Sequence, residues 1–336
     1  MNKILVIRYG TIGDTIFASA FYRELRNALP NAQIDILADT ITASIMQNNP
    51  NINNMIPIQG KFKNFFKYIK LFKNYDTVFF LKNDNFFSKI SFLARVKNRI
   101  GFDVKRNFAL TTKIPYNNDK HEIDFYLDLL KSVNIPVNDI NTEIFFNKNL
   151  LSQMKEYLPN TNKKRVLIQA FSRFSQKNWI TDYWVETINY LKNTLSYEVI
   201  LAGGNGDKEN YNLILEKLET KDNIINLCGK LSIPESMCLI NYVDLFIGID
   251  SGLIHAAAAL NKPSILLNGP TSLIRWTPRN NKCIVLSEHF ECSPCCFASS
   301  KHKYCKGTES KCMRAIKPKN VIEKINTIIT KWQCQA

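Results

Sequence analysis

The chain has 336 residues, 45% of them hydrophobic, and carries 44 Lys and Arg against 29 Asp and Glu for a net charge of +15. That length predicts two globular domains, each large enough to bury its own core. No apolar run approaches the ~20 residues needed to span a bilayer and no signal-peptide pattern opens the sequence, so a cytoplasmic protein is expected.

Ile4 to Ile7 reads as a buried strand, and the segment RYGTIGDTIFASAFYREL at 8–25 then takes up helical apolar spacing. This is the first strand-to-helix turn of an α/β domain, where nucleotide-binding folds place a phosphate. The glycines, however, stand only at Gly10 and Gly13, short of a G-x-G-x-x-G fingerprint, and Asp14 occupies the helix mouth. Gln33 to Leu37 and Thr77 to Leu81 read as further parallel strands, and VKNRIGF at 96–102 as a fourth.

Residues 61–106 hold twelve Lys or Arg and three Asp, beginning KFKNFFKYIKLFKNYD, where Lys61, Lys63, Lys67, Lys70 and Lys73 interleave with aromatic and aliphatic side chains. The mixture suits an anionic membrane surface or an acidic, partly lipidic substrate, or else stacked nucleic-acid bases, or a core helix with a solvated lysine face. An amphipathic helix is expected over 121–132. The polar stretch that follows it places a domain boundary between about 145 and 163, giving domains 1–155 and 156–336. The second half restarts the pattern, with strands at 165–171, 197–204, 223–229, 243–250, 263–269 and 282–287. Two such β/α domains facing one another would create a ligand cleft at their strand ends.

Nine cysteines are present, five of them within 292–312. Cys292 and Cys295, followed by Cys305 and Cys312, form a four-thiol pattern for zinc or iron, although the gaps are looser than in common zinc modules; free thiols or a disulfide are the alternative.

ILVIRYGTIGDTIFASAFYRELRNALPNAQIDILA at the start and VDLFIGIDSGLIHAAAALNKPSILLNGPTSLIRWTP near the end, with YDTVFFLKND, RIGF, KNW and NLCGKLSIPE between them, resemble the bacterial ADP-heptose glycosyltransferases of family nine over essentially the whole chain. The resemblance implies a GT-B architecture of two Rossmann-like domains, the first binding acceptor and the second the nucleotide-sugar donor. It makes Asp14 the general base, with Gly10 and Gly13 allowing a tight turn beside the sugar. Lys177 would neutralise the departing diphosphate and Ser172 would bind the same phosphates. Asp250 would hold hydroxyls of the transferred sugar, the N–H groups of Ser251 and Gly252 the diphosphate, and His255 would brace the loop. Asp207 falls near the acid that holds ribose, with Glu209 a competing ribose ligand, and Leu231 where an apolar side chain packs on adenine. Lys61, Lys63 and Arg99 are the expected acceptor contacts. Relatives that modify autotransporter proteins use a four-cysteine iron site, which bears on the thiol pattern here.

The function implied is metal-independent, inverting transfer of heptose from ADP-heptose to an acidic lipid A/Kdo-type inner-core acceptor of lipopolysaccharide, with the enzyme peripheral on the inner face of the inner membrane. No cofactor is required for that chemistry, and a structural zinc or iron is left to the cysteines. The alternatives are heptose transfer to protein Ser or Thr hydroxyls and, from a different class, a basic nucleic-acid-binding protein; an oxidoreductase is disfavoured by the missing glycine fingerprint.

Overall fold

The computed structural model describes residues 1–104, 107–295, 305 and 310–333, with side chains up to 331. The chain divides into two compact units, Met1–Phe145 and Phe146–Ala336.

The first unit is built on six strands: β1 Lys3–Ile7, β2 Gln33–Ala38, β3 Asn54–Pro57, β4 Thr77–Phe80, β5 Asn98–Asp103 and β6 Thr112–Pro115. They pair in the order β3-β2-β1-β4-β5-β6, every pair parallel. β1 and β4 sit in the middle, and apart from Lys3 their side chains are all buried, which is why they read as unbroken apolar runs. Outer strands β3 and β6, each four residues long and ending in proline, are half-exposed. Neither has an apolar run to announce it, and proline is tolerated at such edges. The helix Ile12–Ala28 packs on Glu122–Lys131, and Phe17, Phe21, Tyr22 and Leu25 of the first and Phe125, Tyr126 and Leu129 of the second are buried.

The second unit repeats the plan with β7 Arg165–Gln169, β8 Glu198–Leu201, β9 Ile224–Asn226, β10 Leu245–Ile249, β11 Ser264–Leu267 and β12 Cys283–Leu286, ordered β12-β11-β10-β7-β8-β9 and again parallel. Counted from its own first strand, this is the order of the first sheet. The chain's division falls ten residues before the expected 155/156, because the helix Lys148–Glu156 packs on Ile233–Leu239 of the second unit and its Leu151 carbonyl accepts from the Tyr242 hydroxyl.

In a doubly wound sheet of this order the chain runs outward in opposite directions from the two central strands, leaving a crevice above their carboxyl ends. That switch point lies between β1 and β4 in the first unit and between β7 and β10 in the second.

Candidate active site

At the first switch point, β1 ends at Ile7 and the chain turns through Arg8, Tyr9 and Gly10 into the helix that starts at Ile12. Gly10 takes φ = +122°, a conformation a side chain would strain, and its N–H donates to the Asp39 carboxylate at 3.0 Å. Thr11, not Asp14, is the helix N-cap: its hydroxyl accepts from the Asp14 N–H at 3.4 Å. Asp14 therefore stands one residue beyond Gly13 in the first turn, where the helix dipole favours a negative charge. One carboxylate oxygen, Oδ2, is 3.0 Å from the Arg8 guanidinium; Oδ1 has no partner among the described residues. With 23% of its side chain exposed, the group combines a fixed oxygen with an open one.

Across the crevice, the carboxyl end of β4 supplies Lys82 and Asp84. Asp84 caps the helix Asn85–Leu93 through Oδ1 and accepts from the Tyr9 hydroxyl and the Lys61 ammonium through Oδ2. Burial alone would raise this carboxyl, but the bonds from Lys61 and Tyr9 outweigh it and hold the group below the usual aspartate range. Burial and the same bond push the Tyr9 hydroxyl well up. Lys61 also lies over the rings of Tyr9 and Phe87, at 5.1 and 5.0 Å. Lys82, half-buried and 5.9 Å from the centre of the Tyr9 ring, pairs with no carboxylate among the described residues.

Lys63 is exposed just before the helix Phe65–Phe72, which buries Tyr68 and Phe72 but leaves Phe66 82% exposed, with Phe62 85% exposed beside it. The segment is thus a core helix on one side and a basic, aromatic surface on the other. Arg99, also expected at the acceptor, lies on β5. It pairs with Val78 in the first half of the strands, away from their carboxyl ends, and its guanidinium donates to the carbonyls of Val96 and Ala109. Lys105 and Arg106, counted in the basic segment, lie outside the described residues.

At the second switch point, Asp250 follows β10 directly and is 7% exposed. Lys177, in a short turn after β7, donates to its Oδ2 at 2.9 Å and to its carbonyl at 3.2 Å, and His255 Nε2 is 3.4 Å from Oδ1. Burial works to raise the Asp250 carboxyl; the lysine charge and the histidine bond override it and hold the group well below its ordinary range. His255, 5% exposed, meets the loop at Asp250. Ser251 occupies the N-cap of the helix Gly252–Ala259, yet its hydroxyl does not cap the helix and donates to Gln169 at the end of β7 instead. Among the described residues no side chain accepts from the first-turn N–H groups of this helix, an arrangement suited to an anion.

Ser172 and Phe174 close a local turn, the Ser172 hydroxyl donating to the Phe174 carbonyl at 3.0 Å and accepting from its N–H at 3.2 Å. Asp207 and Leu231 belong to the same carboxyl rim of the sheet, after β8 and β9. Oδ2 of Asp207 accepts from Gly204 N–H at 2.8 Å, and Leu231 is half-buried beside the N-cap Ser232. The structure brings Lys177, Asp250, His255, Ser251 and Gln169 together by hydrogen bonds and ion pairs; Ser172 and Asp207 bond within their own turns.

The four-thiol metal site is not assembled. Among the described residues no group of three or more His, Cys, Asp or Glu side chains is arranged to hold a metal, and Cys292, Cys305 and Cys312 are free thiols. Cys312 is buried against Gly269, and burial pushes its thiol up, with Cys305 and Cys292 adding to the rise. Cys296 lies outside the described residues.

Sequence reading missed Arg8, Tyr9, Lys82, Asp84 and Gln169. All five flank the carboxyl ends of the central strands, so the signal available was position: polar residues just where a buried run ends next to a switch point.

The profile of glycosyltransferase family 9 (heptosyltransferase) matches residues 66–305. The chain is 25% identical to lipopolysaccharide heptosyltransferase 2 of Escherichia coli K12 over 97% of its length and 98% of the relative's. It superposes on the solved E. coli ADP-heptose lipopolysaccharide heptosyltransferase II with a TM-score of 0.81 at 22% identity, covering 98% of this chain and 99% of the other. A family 9 glycosyl transferase from Veillonella parvula gives a TM-score of 0.82 at 20% identity, covering 98% and 97%.

Proposed function

The chain belongs to glycosyltransferase family 9, the heptosyltransferases, with their GT-B fold of two Rossmann-like domains, and from that premise we propose that it transfers a heptose from ADP-heptose to the inner core of lipopolysaccharide. The observation that carries the reading is the complementary chemistry of its two switch points. One holds a carboxylate with an open oxygen; the other holds a lysine–aspartate pair beside an uncapped helix N-terminus.

Asp14 Oδ1 takes the proton of the acceptor hydroxyl as that oxygen attacks the anomeric carbon from the face opposite the leaving group. The bond from the anomeric carbon to the β-phosphate oxygen breaks, the configuration inverts, and ADP departs. Its growing charge meets the Lys177 ammonium and the N–H groups of Ser251 and Gly252, fixed donors that need no metal. Asp250, kept ionised by Lys177 and His255, accepts from hydroxyls of the sugar. Asp207 serves the ribose with the oxygen its turn does not use, Leu231 packs on adenine, and Ser172 lies beside the phosphates.

The acceptor belongs to the first unit, Met1–Phe145, and the donor to the second. An acidic lipid A/Kdo-type acceptor suits Lys61, Lys63 and Lys82 around the first switch point. Exposed Phe62 and Phe66 among lysines suit an anionic bilayer, which supports a peripheral position on the inner face of the inner membrane. Among the described residues no helix is long and apolar enough to cross a membrane.

The test is Asp14→Asn, assayed for heptosyl transfer and for ADP binding. Turnover falls at least about 100-fold with ADP affinity unchanged. Near-normal turnover removes Asp14 from the mechanism.

A further inference from the structure

Arg8 is buried with most of its donors unmet among the described residues. Its side chain is 1% exposed, yet it makes one aligned hydrogen bond, from Nη1 to the Tyr9 carbonyl at 2.8 Å. Nε has no acceptor among the described residues, and the 3.0 Å approach of Nη2 to Asp14 Oδ2 is a charge contact without hydrogen-bond alignment. Arg23 and Arg26, by contrast, tie loops together with several acceptors each. Arg23 bonds Asn141, Asp139 and Glu143, and Arg26 bonds the carbonyls of Pro30, Ala32 and Asn51 and the Asn53 side chain. Unpaired buried donors destabilise a fold, so an arginine kept for stability alone would resemble those two.

The surroundings of Arg8 fix it in place. Its guanidinium lies 5.8 Å from the centre of the Tyr126 ring; Tyr126 is fully buried and hydrogen-bonded to Glu122, and Tyr22 closes the pocket from the helix that carries Asp14. The cation cannot follow a moving carboxylate. It pins one oxygen of Asp14 and leaves the other open.

We infer that Arg8 is a positioning residue for Asp14, holding Oδ2 so that Oδ1 is the atom presented to the acceptor hydroxyl. The inference rests on the reading of Asp14 as the base. Arg8 keeps its proton throughout, touches neither substrate, and acts only through the carboxylate beside it. Fixed orientation is worth this much machinery because a misplacement of about 1 Å at a reacting group costs on the order of 100-fold in rate.

A double-mutant cycle tests it, with kcat and both KM values for transfer measured for wild type, Arg8→Met, Asp14→Asn and the pair, and for Arg8→Lys in both backgrounds in case Arg8→Met folds poorly. Arg8→Met is expected to lower kcat about 10- to 100-fold with both KM values unchanged, and to have less than about a twofold effect once Asp14 is Asn. Arg8→Lys, which keeps the charge but loses the planar fork, falls between, with the same loss of effect in the Asn background. Equal factors in both backgrounds would overturn the inference, as would a raised acceptor KM at unchanged kcat, which would make Arg8 an acceptor ligand. Undiminished turnover in Asp14→Asn alone would instead overturn the base assignment, so the two failures are distinct.

Discussion

Lys177→Met removes the ammonium that Asp250 pairs with at 2.9 Å, in a site where the two side chains are 17% and 8% exposed. A carboxylate is then left where water barely reaches. Removing one member of a buried pair typically costs 3–5 kcal/mol. Here His255 Nε2 remains 3.4 Å from the other oxygen and the carboxyl can take up a proton instead of staying charged, which brings the cost to about 2–3 kcal/mol. For a unit of this size that lowers Tm by roughly 4–12 °C, read by thermal unfolding without ligand. Changing both partners, Lys177→Met with Asp250→Leu, should recover most of the loss, since a well-packed apolar pair replaces a buried ionic one at little cost. The double variant nevertheless stays inactive and binds ADP about 10- to 100-fold more weakly, the worth of a hydrogen bond from a charged donor to the diphosphate. An unchanged Tm in Lys177→Met, or full ADP affinity in the double variant, would refute the reasoning.

Replacing Lys61, Lys63 and Lys67 by Gln and Phe62 and Phe66 by Ser should raise the acceptor KM and abolish sedimentation with anionic vesicles, while donor hydrolysis is unaltered; wild-type vesicle binding would leave the exposed aromatics unexplained. The Asp84 carboxyl sits below its ordinary value in the folded chain, so its stabilisation is complete above that value and is lost as pH falls through the folded one. The urea midpoint of wild type should therefore exceed that of Asp84→Asn by a constant amount above about pH 5, and the gap should narrow below about pH 4; a gap unchanged at low pH would contradict this. Transfer should survive EDTA, since protein groups meet the diphosphate charge, and loss of turnover restored by a divalent cation would place a metal in the reaction.

The central strands were legible because β1, β4, β7 and β10 bury almost every side chain and leave unbroken apolar runs. Edge strands β3 and β6 lack that signal, and their existence follows only from the pairing of Met55 with Ile36 and of Thr112 with Ile100. The roles of Asp14 and Asp250 were suggested by motif, but Arg8 was not, because an arginine after a strand looks like a surface residue until the helix Glu122–Lys131 is seen to cover it. Arg99 shows the converse: its neighbours in sequence are basic, whereas its guanidinium donates to the backbone carbonyls of Val96 and Ala109. Cysteine spacing likewise set out a ligand pattern that the described thiols do not assemble, since linear gaps say nothing about the direction in which each Sγ points.

The central claim is a reaction, and mass spectrometry of that reaction tests it most directly. The purified protein would be incubated with a Kdo-terminated lipid A acceptor and, in turn, ADP-heptose, a GDP-sugar and a UDP-sugar. The account predicts acceptor heavier by one heptosyl group with ADP-heptose alone, with ADP released in equal amount and the anomeric configuration inverted. Transfer from a GDP- or UDP-sugar with none from ADP-heptose would contradict it.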